Sequence, residues 1–460
     1  MRKWFDGDKH SSGRILVCVF PRRVPDTITG SAPPTRSGIQ LRGVALARPR
    51  HCWPGARLAE RYPLPIRPLR IVHLGKYYPP APGGIEEHTR TLARGQAALG
   101  AAVRVLVVNH ATATGRDVTF DRFTPTLDQH EDDGPVQVTR VGRWANIAKL
   151  DIAPGLSASL RWLAHWRPDV WHLHTPNVTM MLALLTCSAV RPLVITHHSD
   201  IVRQRLLKHV VRPLEAAIYS RAASILPTSA TYAEGSELLQ QFASKVTPLP
   251  LGIDLEPFQH PNSTALAFAN ELRGKHGSPL WLCVGRMIYY KGLSVALAAL
   301  KSVPGTLLVI GTGPLKQELK SLAVELGVAD RVVFHGHASI DQLVGAYRAS
   351  AALWFPSTAR SEGFGLVQVE AMASGCPVIN TAIAGSGVPW VCRHDQEGLT
   401  VPVNDPTALA AAANRLLSES GLREKLAVGG RERAAKEFDH GTMAERSLSI
   451  YRGICCSEGQ

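Results

Sequence analysis

Nowhere does this chain hold the roughly 18 consecutive apolar residues that a membrane-crossing helix requires. Its longest candidate, Val178 to Val190, reads as a short core helix, so no integral membrane segment is expected. Cysteine is thinly spread: eight residues, one adjacent pair at Cys455 and Cys456, and no C-x-x-C. Neither a zinc ribbon nor a disulfide framework is indicated, and a reducing cytoplasm is the expected compartment. A third glycine is missing from "VIGTGPLKQ", where Gly311 and Gly313 stand alone and Pro314 reads as a first-turn helix residue. NAD binding is discounted on that ground. Charged residues make up only 19% and apolar ones 45%, the balance of an ordinary folded protein rather than a disordered one.

What is present fits two large domains, since 460 residues exceed what one core organises. The net charge of +14 is unevenly placed. Residues 1–68 carry 11 Arg and 2 Lys against Asp6, Asp8, Asp26 and Glu60, in a Pro/Arg-rich stretch without periodicity that reads as a disordered leader or an over-extended start. Its apolar run Arg14 to Phe20 is too short for a convincing signal peptide. From Leu69 short apolar strands alternate with helices, and the series occurs twice, implying two parallel, doubly wound, Rossmann-like α/β domains facing a cleft. We place the first at 69–250 and the second at 251–441, joined by a helix-free linker, Val246 to Phe258. A last helix at 442–460 is expected to pack back on the first domain.

Open parallel sheets bind ligands beyond the carboxyl ends of their strands, so the loops there carry the chemistry. In "PPAPGGIEEH", Gly83 and Gly84 let backbone N–H groups and a helix N-terminus approach a phosphate. In "VGRMIYYKG", Arg286 and Lys291 sit just past a buried strand, where two fixed cations can neutralise a diphosphate and the charge developing on it. In "SEGFGLVQVEAMASGCPVI", Gly363-Phe364-Gly365 opens a helix from about Leu366 through Ala373. Glu370, a turn into that helix, is placed to accept ribose hydroxyls, and Glu362, before the turn, to reach a sugar beyond the diphosphate.

The E-x7-E pair around G-F-G, the R-x4-K loop, the N-terminal G-G loop and "DPTALAAAANRLL" together resemble family 4 of the retaining, GT-B-fold glycosyltransferases, from about Leu69 to about Arg452. The resemblance implies a nucleotide-diphosphate sugar as co-substrate, held mainly by the second domain, an acceptor held by the first, and no divalent metal or other cofactor. It assigns Arg286 and Lys291 to the diphosphate, Glu370 to the ribose, Glu362 with the amides of Phe364, Gly365 and Leu366 to the donor sugar and phosphate, and Gly84 to the β-phosphate. His174 in "HLHTPN" matches the histidine near the sugar's reactive face, while His172 reads as a satisfied core residue. The resemblance also implies retention by same-face substitution, the leaving phosphate helping to deprotonate the acceptor. Trp390 departs from the pattern, since many relatives carry Glu there.

"HHSDIVRQ" and "GSGVPWV" look like O-antigen and capsule mannosyl- or rhamnosyltransferases, which implies a GDP-mannose-type donor and a glycan or lipid-linked acceptor. Ile201, Leu206, Val210, Leu214 and Ile218 fall at helical spacing, with Arg203, Arg205, Lys208, His209 and Arg212 on other faces. This amphipathic helix reads as core-facing first and as a peripheral contact with the inner face of the cytoplasmic membrane second. His174, His197 and His198 do not make a convincing zinc site without a carboxylate. A GT-B-fold epimerase or phosphorylase and a non-catalytic nucleotide-sugar-binding protein stay open. Nucleic acid is not an expected partner, because the basic footprint sits in the leader without interleaved aromatics.

Overall fold

Two parallel sheets, each wound outward from its own middle, organise the chain. The computed structural model describes residues 67–112, 124–147, 150–200 and 205–458. The leader therefore lies outside the described residues except for its end, where Arg67 donates twice to Asp169 and so belongs to the first lobe.

The first lobe contains β1 (Arg70–Leu74), β2 (Ala102–Val108), β3 (Gln129–Asp133), β4 (Val136–Val141), the short pair β5 (Ala145–Ile147) and β6 (Leu150–Ile152), β7 (Val170–Thr175), β8 (Leu193–His197) and β9 (Ala222–Pro227). Its main sheet has the order β3-β4-β2-β1-β7-β8-β9, with β3 alone antiparallel. The second lobe contains β10 (Leu280–Val284), β11 (Thr306–Ile310), β12 (Val332–Gly336), β13 (Ala352–Phe355), β14 (Val378–Thr381) and β15 (Gly398–Val401), ordered β12-β11-β10-β13-β14-β15 and wholly parallel. The central strands are buried along nearly their whole length because helices cover both faces. β7, for example, is buried at all six positions, and Trp281 of β10 stacks on Trp354 of β13 at 5.1 Å.

Strand order reverses between β1 and β7 in the first lobe and between β10 and β13 in the second. In such sheets the reversal opens a crevice at the carboxyl ends of the two strands. His174 lies at the end of β7; Arg286 follows β10 and Glu362 follows β13.

Both sheets lie within one compact unit. The chain crosses from the first lobe near Gly252 and returns near Asp439, and the two crossings pair: the Ile253 N–H donates to the Phe438 carbonyl at 2.9 Å and the His440 N–H to the Ile253 carbonyl at 3.0 Å. The linker is not helix-free, since Glu256–Gln259 forms one helical turn started by a proline at its N-terminal end. Likewise the helix after β11 runs Lys316–Glu325, which leaves Pro314 in the preceding turn rather than in the helix.

The last helix, His440–Glu458, packs on the first-lobe helix Gly84–Ala98. Met443, Leu448 and Tyr451 join Ile71, Leu92 and Val105 in one apolar cluster. The helices approach closely because Gly95 faces Ala444, whose Cβ would lie 2.9 Å from a Cβ at position 95. The basic amphipathic stretch forms a helix, Arg205–Ser220. Val211 and Ile218 are buried and Leu214 packs on the core; Ile201, Arg203, Arg205, Leu206, Lys208, His209 and Val210 lie outside the residues whose side chains are described. Among the described residues no helix is long and apolar enough to cross a membrane.

Candidate active site

The second-lobe wall of the crevice is built from charge. After β13 the chain makes the Gly363-Phe364-Gly365 turn and enters the helix Leu366–Ala373. Gly365 caps that helix at φ 78°, a left-handed conformation, with the Phe355 ring 2.7 Å from where a Cβ would stand. The Phe364 ring points inward against Trp390 and Phe438, and Arg433 covers the Trp390 ring at 5.1 Å. Trp390 is thus an apolar prop beneath the turn.

Lys291 ends a short 3-10 turn, Tyr289–Lys291, and its stem runs along Gly285, the residue before Arg286. Its Nζ lies 2.5 Å from Glu362 Oε2, which also accepts from the Ser357 hydroxyl at 3.3 Å. Glu370 accepts from the Tyr347 hydroxyl at 2.8 Å. Burial raises the Glu370 carboxyl above the usual carboxylate range, and the Tyr347 hydrogen bond and the Lys291 charge oppose it. The structure therefore brings Lys291, Glu362 and Glu370 around one turn, with Arg286 exposed on the adjoining loop.

Gly84 is exposed at the first position of its helix, and nothing lies within 4 Å of where its Cβ would stand. The Glu86 carboxylate folds back over Gly83. Burial pushes Glu86 up to about 7, opposed by a backbone hydrogen bond, Lys76 and, from the other lobe, Arg286. An anion brought to Gly84 meets a carboxyl that is readily neutralised rather than a fixed negative charge.

The first-lobe wall is built from neutral rings. His73 on β1, His172 and His174 on β7, His88 on the helix Gly84–Ala98 and His198 after β8 are all buried. Burial holds the His73 ring down at about 4, His88 at about 3, and His172, His174 and His198 well below 6.5.

Their hydrogen bonds fix where the protons sit. The Ser447 hydroxyl donates to the Ala444 carbonyl at 2.7 Å, so it accepts from Gln96 Nε2 at 2.8 Å, which turns Gln96 Oε1 toward His73. His73 Nε2–H then donates to that oxygen at 2.8 Å, and its bare Nδ1 accepts from His174 Nε2–H at 2.9 Å. His174 Nδ1 is left with a lone pair, 3.4 Å from His198 Nε2. Gln96 Nε2 also donates to the Tyr451 hydroxyl at 3.2 Å, which donates to His172 Nδ1 at 2.5 Å, and His172 Nε2–H donates to Thr196 Oγ1 at 2.6 Å. Both nitrogens of His172 are thus satisfied within the protein.

The walls meet at the turn. A Cβ on Gly363 would stand 2.9 Å from the His198 carbonyl oxygen and 3.3 Å from the Tyr232 ring. Arg360 pairs with Asp200 at 3.1 Å across the lobes and donates to the Gly385 carbonyl at 2.8 Å. Sequence reasoning did not single out His73, His88, Gln96, Tyr347, Tyr451 or this ion pair. The spacing of His88, Leu92 and Gln96, one helical turn apart each time, was the available signal: polar residues on an otherwise apolar face. Among the described residues, the groups able to hold a metal are two histidine triads, His73-His172-His174 and His88-His174-His198.

Two family models match the chain, Glycosyltransferase Family 4 over residues 82–257 and Glycosyl transferases group 1 over residues 267–433. D-rhamnosyltransferase WbpZ of Pseudomonas aeruginosa is 31% identical over 366 residues, 78% of this chain and 89% of that protein. O-antigen chain mannosyltransferase C of Escherichia coli is 27% identical over 389 residues, 83% and 98% respectively. Among solved structures, sucrose-phosphate synthase from Thermosynechococcus elongatus superposes with a TM-score of 0.68 at 23% identity, over 84% of this chain and all of that one. HepE of Anabaena in complex with UDP superposes at 0.67 and 19%, over the same shares. The two-lobed architecture is the GT-B fold, and the chain belongs to glycosyltransferase family 4.

Proposed function

We propose that the chain is a retaining, metal-independent hexosyltransferase that moves mannose or a related 6-deoxyhexose from a GDP-mannose-type donor to a hydroxyl of a glycan or lipid-linked acceptor in cell-surface polysaccharide synthesis. The donor choice rests on the rhamnosyl- and mannosyltransferase relatives. The observation that carries the reading is the Lys291–Glu362 pair beside the N-terminus of the helix Leu366–Ala373. Cation and helix amides together form an anion site for a diphosphate, with Arg286 on its open side.

In this reading Glu370 and its Tyr347 partner take the ribose. Glu362 faces the sugar, and the Gly365 and Leu366 amides take the distal phosphate, with Gly83 and Gly84 approaching from the other lobe. His174 presents the Nδ1 lone pair as an acceptor for a sugar hydroxyl. As the sugar–phosphate bond lengthens, negative charge grows on the diphosphate and positive charge on the sugar; Arg286, Lys291 and the amides stabilise the first and Glu362 the second. Because Glu362 is tied to Lys291 and Ser357, it is better suited to electrostatic support than to forming a covalent glycosyl adduct, which favours same-face displacement. The departing phosphate oxygen takes the acceptor proton. Arg286 and Lys291 supply the positive charge that a divalent ion supplies elsewhere. The chain works in the cytoplasm, with the helix Arg205–Ser220 as its contact to the membrane that carries the acceptor.

The test is incubation of the purified chain with a panel of nucleotide sugars and membrane lipid extract in excess chelator, with mass spectrometry and NMR of the product. An axial α-linked mannose or deoxymannose from its α-linked donor is expected. Inversion at the anomeric carbon, or transfer that stops with chelator, overturns the corresponding half.

A further inference from the structure

The five buried histidines of the first-lobe wall are not equivalent. His73 and His172 each have both ring nitrogens engaged by protein partners. His88, only 3% exposed, has neither. Its ring centre lies 4.8 Å from that of His198 and 5.5 Å from that of His174, edge-on to both. A buried imidazole with two orphaned nitrogens carries an unmet desolvation cost, and such groups call for a ligand.

The neighbouring atoms suit a cation better than another hydrogen bond. Nδ1 of His174 is a lone pair by the chain of donors running from Ser447 through Gln96 and His73, and it lies 3.4 Å from Nε2 of His198. Two nitrogens bound at about 2.0–2.1 Å to a tetrahedral zinc ion stand about 3.3–3.4 Å apart. One ring nitrogen from each of His88, His174 and His198 lies within 4.8 Å of the other two. The Nε2–H of His174 is held by His73 and, behind it, by Gln96, which is the outer support that orients a metal-bound imidazole. No positive side chain has to be displaced, and the rings are in the neutral form that binds metal.

We propose that His88, His174 and His198 form a three-histidine site for a borderline divalent cation of the Zn2+ type, and that a cation held there inhibits sugar transfer by occupying the His174 lone pair. The fourth coordination position is left for water or a substrate hydroxyl. Binding is a property of the first lobe alone; only the inhibition rests on the proposed part of His174 in transfer.

The full chain, stripped with chelator, is titrated with Zn2+ by calorimetry and with Co2+ by visible absorption, beside His88→Ala and His88→Phe. Wild type is expected to bind one Zn2+ per chain tightly and to show the d–d bands of a four-coordinate, nitrogen-rich Co2+ site. Outer-shell changes cost 10–100-fold in metal affinity, so loss of the ligand itself should cost about 100-fold or more. Equal Zn2+ affinity in wild type and either variant means adventitious binding elsewhere and overturns the site. Absence of four-coordinate Co2+ bands in wild type does the same, and needs no variant to fold. In the transfer assay, saturating Zn2+ should lower the wild-type rate at least about tenfold, reversibly with chelator, and leave each His88 variant at its own metal-free rate. Tight binding without inhibition overturns the inhibitory role while keeping the site; a chain inactive with every donor but binding one Zn2+ through His88 overturns the functional reading and not the site.

Discussion

The first-lobe wall of the crevice buries histidines that stay neutral, three of them, His73, His172 and His174, held in hydrogen bonds of fixed direction, whereas the second-lobe wall presents Arg286, Lys291, Glu362 and Glu370. Burying neutral rings avoids the several kcal/mol that each isolated buried ion costs, but it supplies orientation rather than field. Fixed charges supply field, and are affordable here because Lys291 is paired and Arg286 is exposed. On the proposed function, the contrast teaches that charge is kept where a diphosphate is held and released, and direction where a neutral sugar and its acceptor are aligned.

Breaking the charged wall should produce the largest effects. Replacing Arg286 or Lys291 by Ala is expected to remove about 2–4 kcal/mol of transition-state stabilisation, read as kcat/KM; wild-type turnover by Arg286→Ala would leave the diphosphate without its assigned partner. The two glutamates should then separate. Glu370→Gln is expected to weaken every nucleotide ligand, the free diphosphate included, by about 1.5–3 kcal/mol. Glu362→Gln should spare diphosphate affinity and lower turnover, and calorimetry of both variants beside rate assays decides between division of labour and a single structural unit.

Disturbing the neutral wall should act through stability and orientation. Gln96→Leu leaves the His73 Nε2–H without its acceptor, which we expect to cost about 1–3 kcal/mol in denaturant unfolding. Because His174 then loses its imposed tautomer, kcat should fall while donor KM holds. Unchanged kcat in a destabilised protein would confine the network to a structural role. The smallest effect is expected where the walls meet: Arg360→Ala removes a partly exposed pair with Asp200, worth about 0.2–1 kcal/mol, and should appear as a modest rise in donor KM with kcat unchanged.

The charged wall was legible in the sequence and the neutral wall largely was not. Arg286 and Lys291 share one loop after β10 and Glu362 and Glu370 flank one glycine turn after β13, so spacing couples each pair, and the reversal of strand order between β10 and β13 brings the two pairs together. Even so, Tyr347 as the partner of Glu370 was hidden, because it comes from a helix 23 residues earlier in the chain. The histidine network joins residues as far apart as Gln96 and Tyr451, and no local period records a contact of that range. His172 could be read as a core residue from its place on a buried strand, but which hydroxyls satisfy it could not. The alternation of strands and helices announced both sheets, while the antiparallel edge strand β3 and the helical turn in the linker depended on tertiary context that local pattern does not carry.

The return of the last helix onto the first lobe sets an order in time. The strands from β1 to β9 are complete once Pro227 has been made, yet the buried amide of Gln96 stays unpaired on one side until Ser447 and Tyr451 arrive. At synthesis rates of about 5–20 residues per second, that interval is roughly ten to forty seconds. Throughout it the nascent first lobe exposes the apolar groove that Met443, Leu448 and Tyr451 later fill, and His174 lacks the tautomer that the finished network imposes. A chain that has not yet reached Tyr451 thus keeps an apolar groove open and leaves the His174 ring free to take either tautomer.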